Sequence, residues 1–277
     1  MPGVAVFGIT GRMGQSVVRA LREEESAALK GAARPEVVLH LSGALASADS
    51  ARLGQDAALE GPACGVTVTA DPAAALAAAA VAVDFSLPQC VADHARACAL
   101  ARVALLVGTT GFDAPSRAAL EATAKVVPVL IAPNTSIGVT VMARLLEIAG
   151  AALGAHYDVE ISEAHHRMKR DAPSGTALAL GEVVAGARGE TLESLAVFDR
   201  HGTLKPRRRG SIGFSVVRAG DIVGEHTVTF AAAGERIELT HRATDRMIFA
   251  RGALRAALWL IGRPAGLYGM QNVLGLG

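Results

Sequence analysis

Cysteine is scarce. Cys64, Cys90 and Cys98 are the only three in 277 residues, and they form no CxxC pair and share no metal-ligand spacing. That excludes a disulfide framework, and no metal site is expected; an odd, sparse set points to reduced thiols in a cytoplasmic protein. A surplus of one charge is also lacking. Net charge is +1 with Lys and Arg scattered, and the short run Arg207-Arg208-Arg209 reads as a solvated turn. No electrostatic footprint for nucleic acid remains. Residues 73–83 are alanine-rich but too short to span a bilayer, and they run into Asp84. Met1-Pro2-Gly3 enters an apolar strand pattern without a basic leader, so secretion is not expected. What is abundant is apolar surface: 51% hydrophobic residues against 19% charged exclude a disordered chain. The length allows one large domain or two smaller ones.

Val4-Ala5-Val6-Phe7 is a short continuous apolar run, as in a parallel strand covered on both faces. Gly8-Ile9-Thr10-Gly11-Arg12-Met13-Gly14 follows, and then Met13, Val17, Val18 and Leu21 fall at helical spacing. Strand, glycine loop and helix start are the context of a dinucleotide fingerprint, here GxxGxxG rather than GxGxxG. A residue without a side chain lets the backbone approach a pyrophosphate, and the helix N-terminus offers it N–H groups and a positive dipole end. The plain alternative is a structural turn. A second strand is expected over residues 36–41, with no carboxylate after it until Asp49 and no arginine until Arg52. Choice between NADH and NADPH is therefore not readable there.

Further α/β units follow. Strands are expected over 66–68, 81–86, 103–107 and 126–131, and helices over 73–80 and 91–101. Gly108-Thr109-Thr110-Gly111-Phe112 and Ala132-Pro133-Asn134-Thr135-Ser136 end the last two strands, where such sheets bind ligands. Loop chemistry alone also favours these residue types. A helix over 137–153 precedes a change of rhythm: Tyr157, Val159 and Ile161 alternate with Asp158, Glu160 and Ser162, the pattern of a half-buried strand. Strands over 212–218, 222–230 and 236–241, with turns at Ala219-Gly220-Asp221 and Ala233-Gly234-Glu235, predict hairpins. A last helix over 249–261 is expected to return to the first domain. The fold class is thus α/β: a Rossmann-type parallel-sheet domain, 1–136 completed by 247–277, plus a smaller α+β domain, 137–246, with an open, mostly antiparallel sheet. An open sheet favours self-association.

Glu163-Ala164-His165-His166-Arg167-Met168-Lys169-Arg170-Asp171-Ala172-Pro173-Ser174-Gly175-Thr176 concentrates two imidazoles and three cations before a helix start. Pro173 marks that start, with Asp171 or Ser174 as N-cap, and the Gly175 and Thr176 N–H groups then suit a carboxylate. An imidazole titrating near neutrality can act as general acid, and a neighbouring lysine can polarise or anchor the substrate. Zinc binding lacks HEXXH spacing, and adjacent residues on extended chain point apart. A solvated helix face conflicts with Pro173. A phosphate-binding loop would use the same cations.

These residues, with Gly8-x-x-Gly11-Arg12-Met13-Gly14, Gly108-Thr109-Thr110-Gly111-Phe112 and Arg218-Ala219-Gly220-Asp221-Ile222-Val223-Gly224-Glu225-His226, resemble in the same order the 4-hydroxy-tetrahydrodipicolinate reductase (dihydrodipicolinate reductase) family, over essentially the whole chain. The resemblance implies a homotetrameric NADH- or NADPH-dependent reductase of lysine and diaminopimelate biosynthesis. By position it implies His165 as proton donor and Lys169 as a second catalytic cation. His166, Gly175 and Thr176 would hold a dicarboxylate substrate. Gly8, Ile9, Thr10, Gly11, Arg12, Met13, Gly108, Thr109, Thr110, Ala132, Pro133, Asn134 and Thr135 would contact the cofactor. The acidic residue and arginine that the family often shows after the second strand are Ala46 and Ser47 here. Closure of two domains around the ligands is expected, with no hinge legible.

Overall fold

The computed structural model describes residues 1–29 and 38–276. They form two compact units, one of Met1–Ile137 with Met247–Gly277 and the other of Gly138–Arg246.

The first unit is built on apolar runs that make buried parallel strands: β1 (Gly3–Phe7), β2 (His40–Leu45), β3 (Val68–Thr69), β4 (Val81–Asp84), β5 (Ala104–Val107), β6 (Pro128–Ile131) and β12 (Gly266–Tyr268). All pair in parallel, in the order β12-β6-β5-β4-β1-β2-β3. Numbering runs outward from the β1/β4 boundary in both directions, so that boundary is the topological switch point of the sheet. On one face lie α1 (Arg12–Leu29) and α8 (Met247–Leu260), burying Val17, Val18, Leu21, Ala253 and Leu254. On the other, α2 (Pro72–Leu76), α3 (Val91–Ala101) and α4 (Ala114–Ala124) bury Leu76, Val91, Ala95, Cys98 and Leu120.

The second strand lies further along than the sequence predicts. β2 takes in Ser42, Gly43, Ala44 and Leu45, paired to β1 along that length, and a side chain at Gly43 would collide with the Ala75 backbone. Of the expected span, residues 36 and 37 lie outside the described residues. Helix α4 was not expected from periodicity, since it is mostly Ala, Ser and Thr; its N-cap Asp113, accepting from the Ser116 N–H at 2.9 Å, is the local signal.

In the second unit, α5 (Ile137–Leu153) leads into β7 (Asp158–His165), α6 (Gly175–Ala187), the short α7 (Leu192–Leu195) and β8 (Ala196–Val197). Then come β9 (Ile212–Arg218), β10 (Gly224–Ala232) and β11 (Glu235–Ala243); α9 (Met270–Val273) belongs to the first unit. The helical stretch Ile137–His156, α5 and the turn after it, is apolar and long enough to cross a membrane by length and composition. Here it sets Met142 and Leu146 in the core of the second unit.

The second sheet has the order β11-β10-β7-β9-β8 and is mixed rather than mostly antiparallel. Strands β10/β11 and β10/β7 pair antiparallel, whereas β7/β9 and β8/β9 pair in parallel. The expected hairpin at Ala219-Gly220-Asp221 does not form, because β7 lies between β9 and β10 and takes the hydrogen bonds of both. Alternation along a strand reveals which face is buried but not which neighbour it pairs with. Side chains of Val159, Ile161, Phe214, Val228 and Phe230 fill the helix-covered face.

Candidate active site

Strand β7 alternates, so Glu163 and His165 lie on the same helix-covered face as Ile161. Glu163 is 2% exposed. A buried carboxylate needs partners, and it has three. Arg218, at the end of β9 beside β7, forks onto it through Nη1 at 2.7 Å and Nη2 at 2.8 Å. The Ser174 N–H donates to Oε1 at 3.0 Å, and His165 Nδ1 lies 2.6 Å from Oε2. Burial alone would raise the Glu163 carboxyl, but Arg218, His165 and the Ser174 amide outweigh it and hold it below the usual range.

The carboxylate orients the imidazole. With Nδ1 turned to Glu163, proton exchange falls to Nε2. Gly224 of β10 leaves space there, since a Cβ at that position would sit 3.0 Å from Nε2. Burial, and after it the charges of Lys169 and Arg218, push the His165 pKa below its ordinary value, although Glu163 pulls the other way. A charged His165 is accordingly a readier acid than a free imidazolium. The backbone is fixed too. The Ala219 N–H bonds the His165 carbonyl at 2.9 Å, and the Arg167 N–H bonds the Gly220 carbonyl at 3.1 Å. The turn expected to close a hairpin therefore braces the end of β7.

Ser174 is the N-cap of α6, its hydroxyl accepting from the Ala177 N–H at 3.1 Å. Its Oγ also lies 3.0 Å from His226 Nε2, and the His226 ring meets His165 edge-on at 5.1 Å between centroids. Burial, reinforced by the neighbouring His165, pushes His226 down to about 4, so it is neutral near pH 7. The alternative N-cap, Asp171, does something else: its carboxylate holds Lys169 Nζ at 2.9 Å and is held below its usual range by Lys169 and the Gly175 N–H, against the opposing effect of burial. The helix-start amide expected to meet a ligand thus faces an internal carboxylate. Gly175 is exposed with nothing near its missing Cβ, while His166 and Thr176 are half-buried. His165, His166, Lys169, Gly175 and Thr176 thus share one end of the second unit. Glu163, Arg218, Ser174 and His226 were missed as site residues. All four stand inside the motifs at 163–176 and 218–226, but only the pairing of β7 with β9 and β10 brings them together.

In the first unit, residues 8–13 join β1 to α1, 108–110 follow β5 and 132–135 follow β6. All three loops leave the C-terminal ends of parallel strands of one sheet, β5 beside β6 and β1 one strand further on, across β4. Gly8 has φ +75°, and a Cβ there would come 2.5 Å from the Phe85 carbonyl; one on Gly14 would come 2.5 Å from that of Gly8. The loop therefore has no room for side chains at either glycine, and Thr10, Gly11 and Arg12 are exposed above it. This geometry fits a nucleotide diphosphate over the start of α1. Within the set, Ile9 is a core residue, and the hydroxyls of Thr109 and Thr135 serve internal bonds, to Asp84 at 3.1 Å and to the Phe249 carbonyl at 2.7 Å. Ala46 and Ser47 directly follow β2.

A carboxylate-held imidazole beside cationic side chains becomes useful when a hydride arrives from elsewhere, and the doubly wound sheet with its glycine loop is how nicotinamide-dependent oxidoreductases hold their cofactor. The fold and site define that class. The family models for the N-terminus and the C-terminus of dihydrodipicolinate reductase match residues 3–135 and 138–274. The 4-hydroxy-tetrahydrodipicolinate reductase of Thiobacillus denitrificans is 49% identical over 274 residues, 99% of this chain and 98% of its own. That of Anaeromyxobacter dehalogenans is 47% identical, with coverage of 100% and 98%. A dipicolinate-bound dihydrodipicolinate reductase from Paenisporosarcina sp. TG-14 superposes with a TM-score of 0.75 at 25% identity, covering 98% of this chain and 99% of its own.

The chain belongs to the dihydrodipicolinate reductase family. It is an NAD(P)H-dependent oxidoreductase that reduces 4-hydroxy-tetrahydrodipicolinate to tetrahydrodipicolinate, in lysine biosynthesis.

Proposed function

We propose that His165 is the general acid of this reduction and Lys169 its second catalytic cation. The nicotinamide, when bound, supplies the hydride; a proton must also be added, and the 4-hydroxyl leaves as water. Nε2 of the charged His165 gives that proton, and Glu163 keeps the ring oriented through Nδ1. The observation that carries the reading is the Glu163–His165 bond of 2.6 Å under the Arg218 fork, which commits one ring nitrogen and leaves the other for chemistry. Lys169, with His166 and the Gly175 and Thr176 amides, binds the substrate carboxylates. Asp171 holds Lys169 at 2.9 Å, and a substrate carboxylate would replace it there.

Gly8, Ile9, Thr10, Gly11, Arg12, Met13, Gly108, Thr109, Thr110, Ala132, Pro133, Asn134 and Thr135 make the cofactor site, Thr109 and Thr135 through their backbones. Ala46 and Ser47 follow β2, where a carboxylate for the ribose 2′-hydroxyl or an arginine for a 2′-phosphate would stand, and the cofactor is NADH or NADPH. The protein works in the cytoplasm as a homotetramer. Support for self-association comes from apolar surface on the second unit: Val217 of the sheet and Val141, Leu145 and Ile148 along one stripe of α5 are exposed.

The test is His165→Gln, assayed with freshly made substrate and each reduced cofactor in turn. The expected result is a fall in kcat of about a hundredfold or more with cofactor affinity retained. Wild-type turnover would remove His165 from the mechanism.

A further inference from the structure

A second buried carboxylate–imidazole pair lies in the first unit, outside the proton-transfer site. Asp84, the last residue of β4, is fully buried. Its Oδ2 lies 2.8 Å from His94 Nδ1 on α3, and its Oδ1 accepts from the Ser86 N–H at 2.8 Å and the Thr109 hydroxyl at 3.1 Å. The Asp84 carbonyl takes the Gly108 and Thr109 N–H groups at 2.9 and 3.2 Å. The His94 ring rests on Phe7, the residue before the glycine loop, at 4.6 Å between centroids. Phe85, between Asp84 and Ser86, leaves no room for a Cβ on either Gly8 or Gly108. Asp84 thus ties the loop that leaves β4 to the loop that leaves β5, and Phe85 beside it packs on the glycine loop that leaves β1, at the β1/β4 switch point. A core that needed only packing would place an apolar residue there, since burying a carboxylate is costly unless it is fully partnered.

We infer that Asp84 is a positioning residue for the cofactor: its carboxylate, held by His94, fixes the residue 85–86 and 108–109 backbones in the arrangement that receives the nicotinamide nucleotide. Loops already ordered in the free enzyme need not be ordered on binding, so affinity rises without any contact from Asp84 itself. The inference rests on the assignment of residues 8–13 and 108–110 to the cofactor.

The test is titration of the intact enzyme with NADPH and with NADH, followed by fluorescence of the reduced nicotinamide. Substrate KM and melting temperature are measured alongside. Asp84→Ala should weaken both cofactors about tenfold and leave substrate KM unchanged. Asp84→Asn should recover most of that loss: its amide oxygen can still accept from Ser86 and Thr109, and its NH2 can donate to His94 Nδ1. Should Asp84→Ala not fold, His94→Ala carries the same test from the other side of the pair, with a loss of about threefold. Thr10→Glu, a carboxylate in the exposed glycine loop, tests the underlying assignment separately. If it fails to weaken the cofactor, that assignment falls. If it does weaken it while folded Asp84→Ala and His94→Ala bind as tightly as wild type, the role of Asp84 alone is overturned. Equal losses in cofactor and substrate affinity, or an Asp84→Asn as weak as the alanine variant, would overturn it too.

Discussion

Each unit holds one buried carboxylate bonded to one histidine: Asp84–His94 at 2.8 Å in the first, Glu163–His165 at 2.6 Å in the second. They differ in what else holds the acid. Asp84 is met by an amide, a hydroxyl and the imidazole, all turned inward, with the His94 ring tilted against the core aromatic Phe7. Glu163 is met by a guanidinium fork, and its histidine stands at a strand end with Nε2 opposite a glycine. The lesson concerns charge and free nitrogen rather than residue type. A carboxylate whose donors all turn inward makes a clamp. One forked by arginine orients an imidazole that stays below its ordinary pKa, because burial and the Lys169 and Arg218 charges outweigh the upward pull of Glu163.

Removing the arginine would make the second pair resemble the first, and is the hardest way to break the distinction. Arg218→Met leaves Glu163 buried with its charge largely uncompensated, and about 3 kcal/mol of unfolding free energy should be lost, read by urea denaturation. Because Arg218 also helps to depress His165, the alkaline limb of the kcat/KM profile should move to higher pH.

Of similar size is the acid sensitivity of His226. Its folded pKa of about 4 lies under the ordinary 6.5, so only the unfolded chain takes up a proton between those values. Stability present above pH 6.5 is lost as pH falls toward 4, by about 3 kcal/mol in all. Unfolding curves at pH 7 and pH 4.5 should show that loss in the wild type and a flatter response in His226→Gln.

Glu163→Gln sharpens the comparison from the opposite side. It removes the one charge that raises His165, so the alkaline limb should shift to lower pH, opposite to Arg218→Met, with kcat near neutrality down about tenfold. Limbs that move together in the two variants would dissociate Glu163 from the acid. The smallest effect belongs to Gly224→Ala. Its new Cβ would sit 3.0 Å from Nε2, and a fall in kcat of about threefold is expected with cofactor binding unchanged.

Asp-Ala-Pro-Ser occurs twice, at 113–116 and 171–174. In the first copy Asp113 caps α4. In the second Ser174 caps α6, because its amide is taken by Glu163 and its hydroxyl by His226, and Asp171 is left to hold Lys169. No local rule separates the two copies; their tertiary partners do. Likewise Gly224 and His226 were legible only as a motif until β10 was placed beside β7.

Period and punctuation in the sequence were enough to determine the parallel strands β1, β4, β5 and β6, the glycine loop between β1 and α1, the helix over 137–153 and the cluster of histidines and cations before α6. These depend on neighbours a few residues apart, where sterics and hydrophobic spacing act. Strand order in the second sheet, the fork of Arg218 on Glu163 and the burial of Asp84 among three loops were decided only in the folded molecule. Each joins residues remote in the chain, and a buried charge finds its partners only once the surrounding fold has excluded water.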